Sequence, residues 1–374
     1  MDCFLAKDAA LKWLEVPSVY HIKRDELYEL DEESFHFLKK CSSPEGCSAE
    51  RNEFVDYCLD EKILTGSPVS RRDTPLRQSP IPSLRYLELQ ITDRCNLRCR
   101  HCYIGEKGRN ELSPSQISAV LGEFEEMQGL RVLVTGGEPL LHSRFPEINA
   151  MLPEFSSRKI LFTNGMKLDR DVLKGLNVHE IQISIDGLEH GHDMLRGKGT
   201  FRAAMEGVRR SLDSGFGVSI STMVHAGNLS EFDAMEELFR GMGIRDWTVD
   251  VPCATGDLTE NKELQLTPLQ GGKYLGYGWG DGLHGSTPGF ACGLHLASVT
   301  ADGTISRCTF YRDRPAGLIE GGLLEGWGRI RPVRLEELKC DCGHIETCRG
   351  GCRYRAELLG DPFGKDLYRC GLLL

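Results

Sequence analysis

The chain has 374 residues, enough for two or three domains, and sets 45 basic against 55 acidic side chains, a formal charge of −10. That balance, without a long block of one sign, excludes a nucleic-acid backbone as the main partner. The charged first residues are unlike a signal peptide and no apolar run approaches membrane-spanning length, so no membrane partner is expected and a cytoplasmic location is.

Residues 19–22 and 26–30, separated by the charged turn Lys23-Arg24-Asp25, predict a β-hairpin. A helix opening at Asp31 with Phe35 and Leu38 on one face follows, then a second over 50–62 with Phe54, Val55, Cys58 and Leu59 at helical spacing. Hairpin, helix and helix suggest a small winged-helix-like unit. Prolines at 68, 75, 80 and 82 mark a linker and put the first domain boundary near residue 80.

An alternating strand over 86–92 leads into Cys95-Asn96-Leu97-Arg98-Cys99-Arg100-His101-Cys102-Tyr103. Three thiolates spaced C-x3-C-x2-C suit an iron–sulfur cube held at three corners, which leaves one iron without a protein ligand. A zinc finger would want a second ligand pair, and three close cysteines cannot all pair as disulfides. Ser113-Pro114-Ser115-Gln116 then supplies an N-cap, a proline at the first helical position and a capping-box glutamine. Further strands are predicted over 130–135, 159–163, 180–185, 217–224 and 247–251, with helices starting near Asp169, Thr200 and Ser230. Such alternation predicts an α/β fold with a parallel sheet.

The cysteine triplet followed by an aromatic residue resembles the motif of the radical S-adenosylmethionine (SAM) superfamily, and later segments match that family in order. The resemblance implies a partial (β/α)6 TIM-like barrel over residues 81–265, a [4Fe-4S] cluster on Cys95, Cys99 and Cys102, and SAM chelated by the open iron. One electron would cleave SAM to a 5′-deoxyadenosyl radical. On the cofactor side it places Tyr103, the loop Gly136-Gly137-Glu138-Pro139, Asn164 after the third strand, Ser184 and Asp186 after the fourth, Arg196 for the SAM carboxylate, and Thr222 near the adenosine. These marked residues fall at the ends of strands, where such barrels carry their active sites. Cys253, after the sixth strand, has two readings: a buried thiol beside the cofactor, or a catalytic residue that returns a hydrogen atom to the substrate or binds a further cluster.

Fifteen cysteines without an export signal point to metal ligation. Cys3, Cys41, Cys47 and Cys58 are scattered and read as small buried hydrophobes. Seven others close the chain: Cys292, Cys308, Cys340, Cys342, Cys348, Cys352 and Cys370. Their order resembles the SPASM extension of radical SAM enzymes, which implies a domain over 266–374 with two auxiliary iron–sulfur clusters. By position, Cys292, Cys308 and Cys352 would hold the first, and Cys340, Cys342, Cys348 and Cys370 the second. Cys340-Asp341-Cys342 is one residue shorter than the family pattern, so either the loop tightens or Asp341 or His344 replaces a thiolate. The first cluster lacks an obvious fourth ligand, which leaves an open iron there as one reading. Zinc is the structural alternative for the array.

The N-terminal order resembles the peptide-recognition domain of radical SAM peptide maturases, similar to the chaperone of pyrroloquinoline quinone biosynthesis, where a leader peptide adds to a sheet edge. The whole then implies oxidative modification of a ribosomally made precursor peptide, with a reducing donor such as flavodoxin or ferredoxin. Modification of a small porphyrin or quinone precursor is the alternative, and a non-catalytic electron carrier a more distant one.

Overall fold

The computed structural model describes all residues except 71, 73, 75, 106–107, 281–287 and 373–374. Arg71 and Pro75 of the expected linker therefore lie outside the described residues.

Six short strands precede residue 80: β1 (Asp2–Leu5), β2 (Ala9–Trp13), β3 (Pro17–His21), β4 (Glu26–Glu29), β5 (Cys47–Ser48) and β6 (Leu64–Thr65). They form two three-stranded sheets, ordered β5-β1-β6 and β2-β3-β4. Only the β3–β4 hairpin is foreshadowed by the sequence, because β1 is buried at three consecutive positions and shows no alternation. Helix α1 (Glu32–Cys41) starts where expected, with Asp31 accepting from Ser34 N. Helix α2 is shorter than expected, Glu53–Asp60, because Asn52 caps it through Val55 N. Cys3, Cys41 and Cys58 are buried in the apolar core between these elements.

Six parallel strands follow in sequential order: β7 (Tyr86–Gln90), β8 (Arg131–Thr135), β9 (Arg158–Thr163), β10 (Glu180–Ser184), β11 (Gly217–Met223) and β12 (Asp246–Asp250). This is the partial TIM-like barrel. Helices α3 (Pro114–Glu126), α4 (Phe145–Met151), α5 (Arg170–Gly175), α6 (Glu189–Arg196), α7 (Thr200–Asp213) and α8 (Phe232–Gly241) cover its outside. The Ser113 capping box forms as the sequence implies. Period-two alternation sorts each strand: Leu87, Leu89, Val132, Val134, Ile181, Ile183, Val218 and Ile220 join one apolar core with Ile117, Leu121 and Phe124 of α3. The intervening residues, among them Glu88, Gln182, Ser184 and Ser221, face the lumen and line its cavity.

The sheet does not end with the barrel. Strand β13 (Leu296–Val299) pairs in parallel with β7, and β14 (Thr304–Ser306) and β15 (Gly317–Leu318) extend it antiparallel. The cysteine-rich segment is thus built onto the edge of the same sheet.

The N-terminal unit docks on the other end of the barrel through buried charge. Asp25, in the β3–β4 turn, meets Arg131 Nε at 2.7 Å and Arg158 Nε at 3.3 Å, and Arg158 continues to Glu180 at 2.6 Å. All three barrel partners are the first residues of their strands, so the network plugs the N-terminal mouth. Removing one member of a buried network strands the others without compensation. Asp25→Ala is expected to cost about 3–5 kcal/mol in chemical denaturation. Glu15 holds a second contact, to Ser83 N (2.7 Å) and Arg85 (2.8 Å). Burial pushes its carboxyl up, but the Ser83 bond and Arg85 outweigh this and hold it at about 2. A depressed carboxylate contributes fully above its unfolded value and loses that contribution as pH falls, so this contact weakens between about pH 4 and pH 2.

Candidate active site

The loop after β7 carries the cysteine triplet and is held by its main chain. Cys102 N donates to Cys99 O (3.0 Å), Arg100 N to Leu195 O (2.9 Å) and Asp257 N to Cys102 O (2.9 Å). A side chain at Gly256, whose φ is +54°, would collide with Cys102 O, so this glycine is needed for the close approach. The loop after β8 zips onto the start of the cysteine loop: Gly137 N donates to Thr92 O (2.8 Å) and Glu138 N to Arg94 O (2.7 Å). A Cβ on Gly136 or Gly137 would overlap Thr92 O or Arg94 O.

A cavity of about 290 Å³ opens where these loops meet the C-terminal strand ends. Cys95, Cys99, Cys102 and Tyr103 line it, as do Gly136, Gly137, Asn164, Ser184, Arg196 and Cys253. Arg196 Nη1 lies 3.9 Å from Cys99 Sγ, and Arg196 Nε pairs with Asp186. Asn164 Nδ2 donates to Asn96 Oδ1 at 2.8 Å, which ties β9 to the cysteine loop.

Four expected cofactor residues do not line this cavity. The fully buried Glu138 accepts from Thr163 Oγ1 (2.9 Å), Asn164 N (2.9 Å) and Leu140 N (3.2 Å), so it joins the β8 and β9 loops from behind. Pro139 is buried beside it at the start of a short 3₁₀ turn. Asp186 is fully buried and accepts from Met223 N (2.7 Å) while pairing with Arg196. Thr222 points away from the lumen, donating to Ile185 O (2.6 Å) and accepting from Trp247 Nε1 (2.8 Å). Its neighbours Ser221 and Met223 line the cavity instead. The register Ser184↔Ser221 shows why: paired residues of neighbouring strands share a face, and Thr222 is one step out of phase.

His101 also lines the cavity, and its Nδ1 is buried without a hydrogen-bond partner in the protein. Burial, with Arg196 adding to it against Asp186, pushes the ring down to about 3, so it stays neutral. An orphaned ring nitrogen, three thiols and a close-packed glycine turn on one chamber fit a cluster with a polar ligand. Among the described residues no three His, Cys, Asp or Glu side chains converge on a single metal ion. A lone tetrahedral ion with bonds near 2.3 Å needs its sulfurs within about 4 Å of one another, whereas a multi-iron cluster keeps its ligands further apart.

The C-terminal cysteines fall into two groups. Cys340, Cys342, Cys348 and Cys370 are electrostatic neighbours. Asp341 faces solvent and pairs with Lys365 at 2.8 Å. Cys292, Cys308 and Cys352 are mutual neighbours in the second group.

A parallel half-barrel with three cysteines on its first loop and a ligand chamber at its C-terminal mouth defines a radical SAM domain. Residues 89–239 match the model of the radical SAM superfamily, so the chain carries a radical SAM domain, whose family implies an enzyme with a [4Fe-4S] cluster and SAM. The sporulation killing factor maturation protein SkfB of Bacillus subtilis is 27% identical over 305 residues, covering 75% of this chain and 72% of SkfB. Fe-coproporphyrin III synthase of Methanosarcina barkeri is 32% identical over 158 residues, but the match spans only 39% of this chain and 40% of that protein. The fold is also that of Streptococcus suis SuiB bound to its precursor peptide SuiA, with a TM-score of 0.70, 14% identity and coverage of 97% and 98% of the two chains. No helix of the described residues is long and apolar enough to cross a membrane.

Proposed function

We propose that this enzyme oxidatively matures a ribosomally made precursor peptide, with residues 1–80 receiving the leader, 81–265 generating the radical and 266–374 carrying two auxiliary iron–sulfur clusters. The observation that carries this reading is the shared chamber of Cys95, Cys99, Cys102 and Arg196 at the barrel mouth, with a second cysteine group reaching its wall through Cys253.

When bound, the cluster supplies the electron that splits SAM into methionine and a 5′-deoxyadenosyl radical. The chain's own residues orient and shield. Arg196, aimed by Asp186, presents a guanidinium suited to the SAM carboxylate. Neutral His101 offers its buried Nδ1 to a polar group of the ligand. Ser184 and Ser221 supply hydroxyls on the adenosine side. A peptide bound in the chamber would lose one hydrogen atom to the radical and, as its new bond forms, one proton to solvent, and Cys292, Cys308, Cys352, Cys340, Cys342, Cys348 and Cys370 would hold the centres that take up the second electron. A flavodoxin or ferredoxin supplies the first electron.

The leader adds beside β4, the end strand of the β2-β3-β4 sheet, where main-chain pairing gives affinity with little demand on side chains. The test uses a candidate peptide, encoded by any short reading frame found beside the gene. With reduced, cluster-loaded protein and SAM it is expected to lose two hydrogens while 5′-deoxyadenosine accumulates, as read by mass spectrometry. Truncating its leader should raise KM with little change in kcat. An unchanged peptide, with turnover of a porphyrin or quinone precursor instead, would transfer the function to a small molecule.

A further inference from the structure

We propose that Cys253 is the fourth protein ligand of the auxiliary cluster on Cys292, Cys308 and Cys352, so that this cluster forms part of the wall of the radical chamber. The inference rests on the reading of the C-terminal cysteines as cluster ligands.

Cys253 lies three residues beyond the end of β12, far in sequence from the other three, and is buried. Its thiol lies beside that of Cys352. Cys352 is in turn the electrostatic neighbour of both Cys292 and Cys308. A clamp on both sides of Cys253 builds this meeting. Arg355 donates to Val251 O at 3.0 Å and pairs with Asp250, while Tyr354 OH lies 3.4 Å from Thr255 Oγ1. Asp366 fixes the other end, accepting from Cys352 N at 2.8 Å and from Arg355 Nη2 at 2.9 Å. Residues 250, 251 and 255 are thus bonded to 354 and 355; Cys253 sits between those bonds, and Cys352 lies two residues before Tyr354.

Four thiols complete a cluster's protein ligation. No iron of this set is then left for the substrate, which is therefore not held on it. Because Cys253 also lines the chamber of Cys95, Cys99 and Cys102, it is the point where an electron leaving the peptide enters the auxiliary set. A ligated thiolate has no S–H to give, so this assignment replaces hydrogen-atom return by Cys253.

The test is spectroscopic. In full-length protein with Cys95, Cys99 and Cys102 changed to alanine, only auxiliary clusters contribute iron. Against that parent, Cys253→Ala is expected to lose up to about half of the iron, or to convert one cluster to a three-iron signal in electron paramagnetic resonance. Cys253→Ser, which keeps an oxygen ligand, should retain the iron with a shifted spectrum and guards against a folding defect. If Cys253→Ala matches the parent in iron content and Mössbauer spectrum while Cys292→Ala does not, the assignment is overturned. If Cys292→Ala and Cys308→Ala also match the parent, the auxiliary-cluster reading falls and this inference with it. A Cys253–Cys352 disulfide in the cluster-loaded protein would overturn the assignment too.

Discussion

Protein in which Cys95, Cys99 and Cys102 are all alanine is expected to hold about four fewer irons per chain than its parent and to form no detectable 5′-deoxyadenosine from SAM. The loss should be complete because the chemistry needs an open iron to hold the sulfonium, and a set of only three thiols is what leaves one. The fold should survive. Three bonds that shape the loop run between main-chain atoms, Cys102 to Cys99, Arg100 to Leu195 and Asp257 to Cys102, and need no thiol; Leu97 N, which donates to Cys95 Sγ at 3.4 Å, loses a partner within the loop. Circular dichroism on the variant separates lost chemistry from lost structure. Residual deoxyadenosine formation at a tenth of the parent rate would contradict the assignment of these three thiols.

Asp186→Asn is expected to have the second largest effect, on stability and on SAM use together. The carboxylate is fully buried and pairs with Arg196, whose side chain is 11% exposed. Burial alone would push this carboxyl up. Arg196 outweighs it, and the group stays well below the usual carboxylate range. Neutralising it leaves a guanidinium in the protein interior without its counter-charge, a loss of about 3–5 kcal/mol in denaturant unfolding. It also frees Arg196 to turn from the position in which it faces Cys99, so KM for SAM should rise while any kcat defect stays smaller. The pH dependence follows from the same pair. A carboxylate whose folded pKa is depressed stabilises fully above its unfolded value, about pH 4, and the contribution declines as pH falls below it. The Asp186→Asn variant should lack that part of the parent's acid sensitivity. Equal stability of the two proteins at pH 7 would show that the pair contributes nothing net.

Much of the barrel was legible in the chain. Strand alternation, the Ser113 capping box and the triplet spacing each depend on neighbours within a few residues, and the structure follows them closely. The N-terminal strands were harder to read. β1 and β5 are short and cross-pair from distant positions, Cys3 opposite Cys47, so neither shows a period of its own. Within the site, the marked strand ends were found, but the face of each residue was not always assigned. Thr222 and Ser221 are equally polar, and only the pairing of Ser221 with Ser184 tells which one enters the lumen.

The sequence by itself determined the chemistry available: three thiols on one loop, a glycine turn to pack against it, an arginine nearby and seven more cysteines at the end. Those are local spacings, set by covalent connection. Only the tertiary structure decided that Glu138 supports the loop from behind, that Asp186 pairs with Arg196, that Asp25 plugs the barrel's far end, and that Cys253 lies beside Cys352 across 98 intervening residues. Such meetings depend on how the sheet curls and which edge the C-terminal segment joins. A linear pattern carries no record of that, because the free energy that selects it is shared over the whole core.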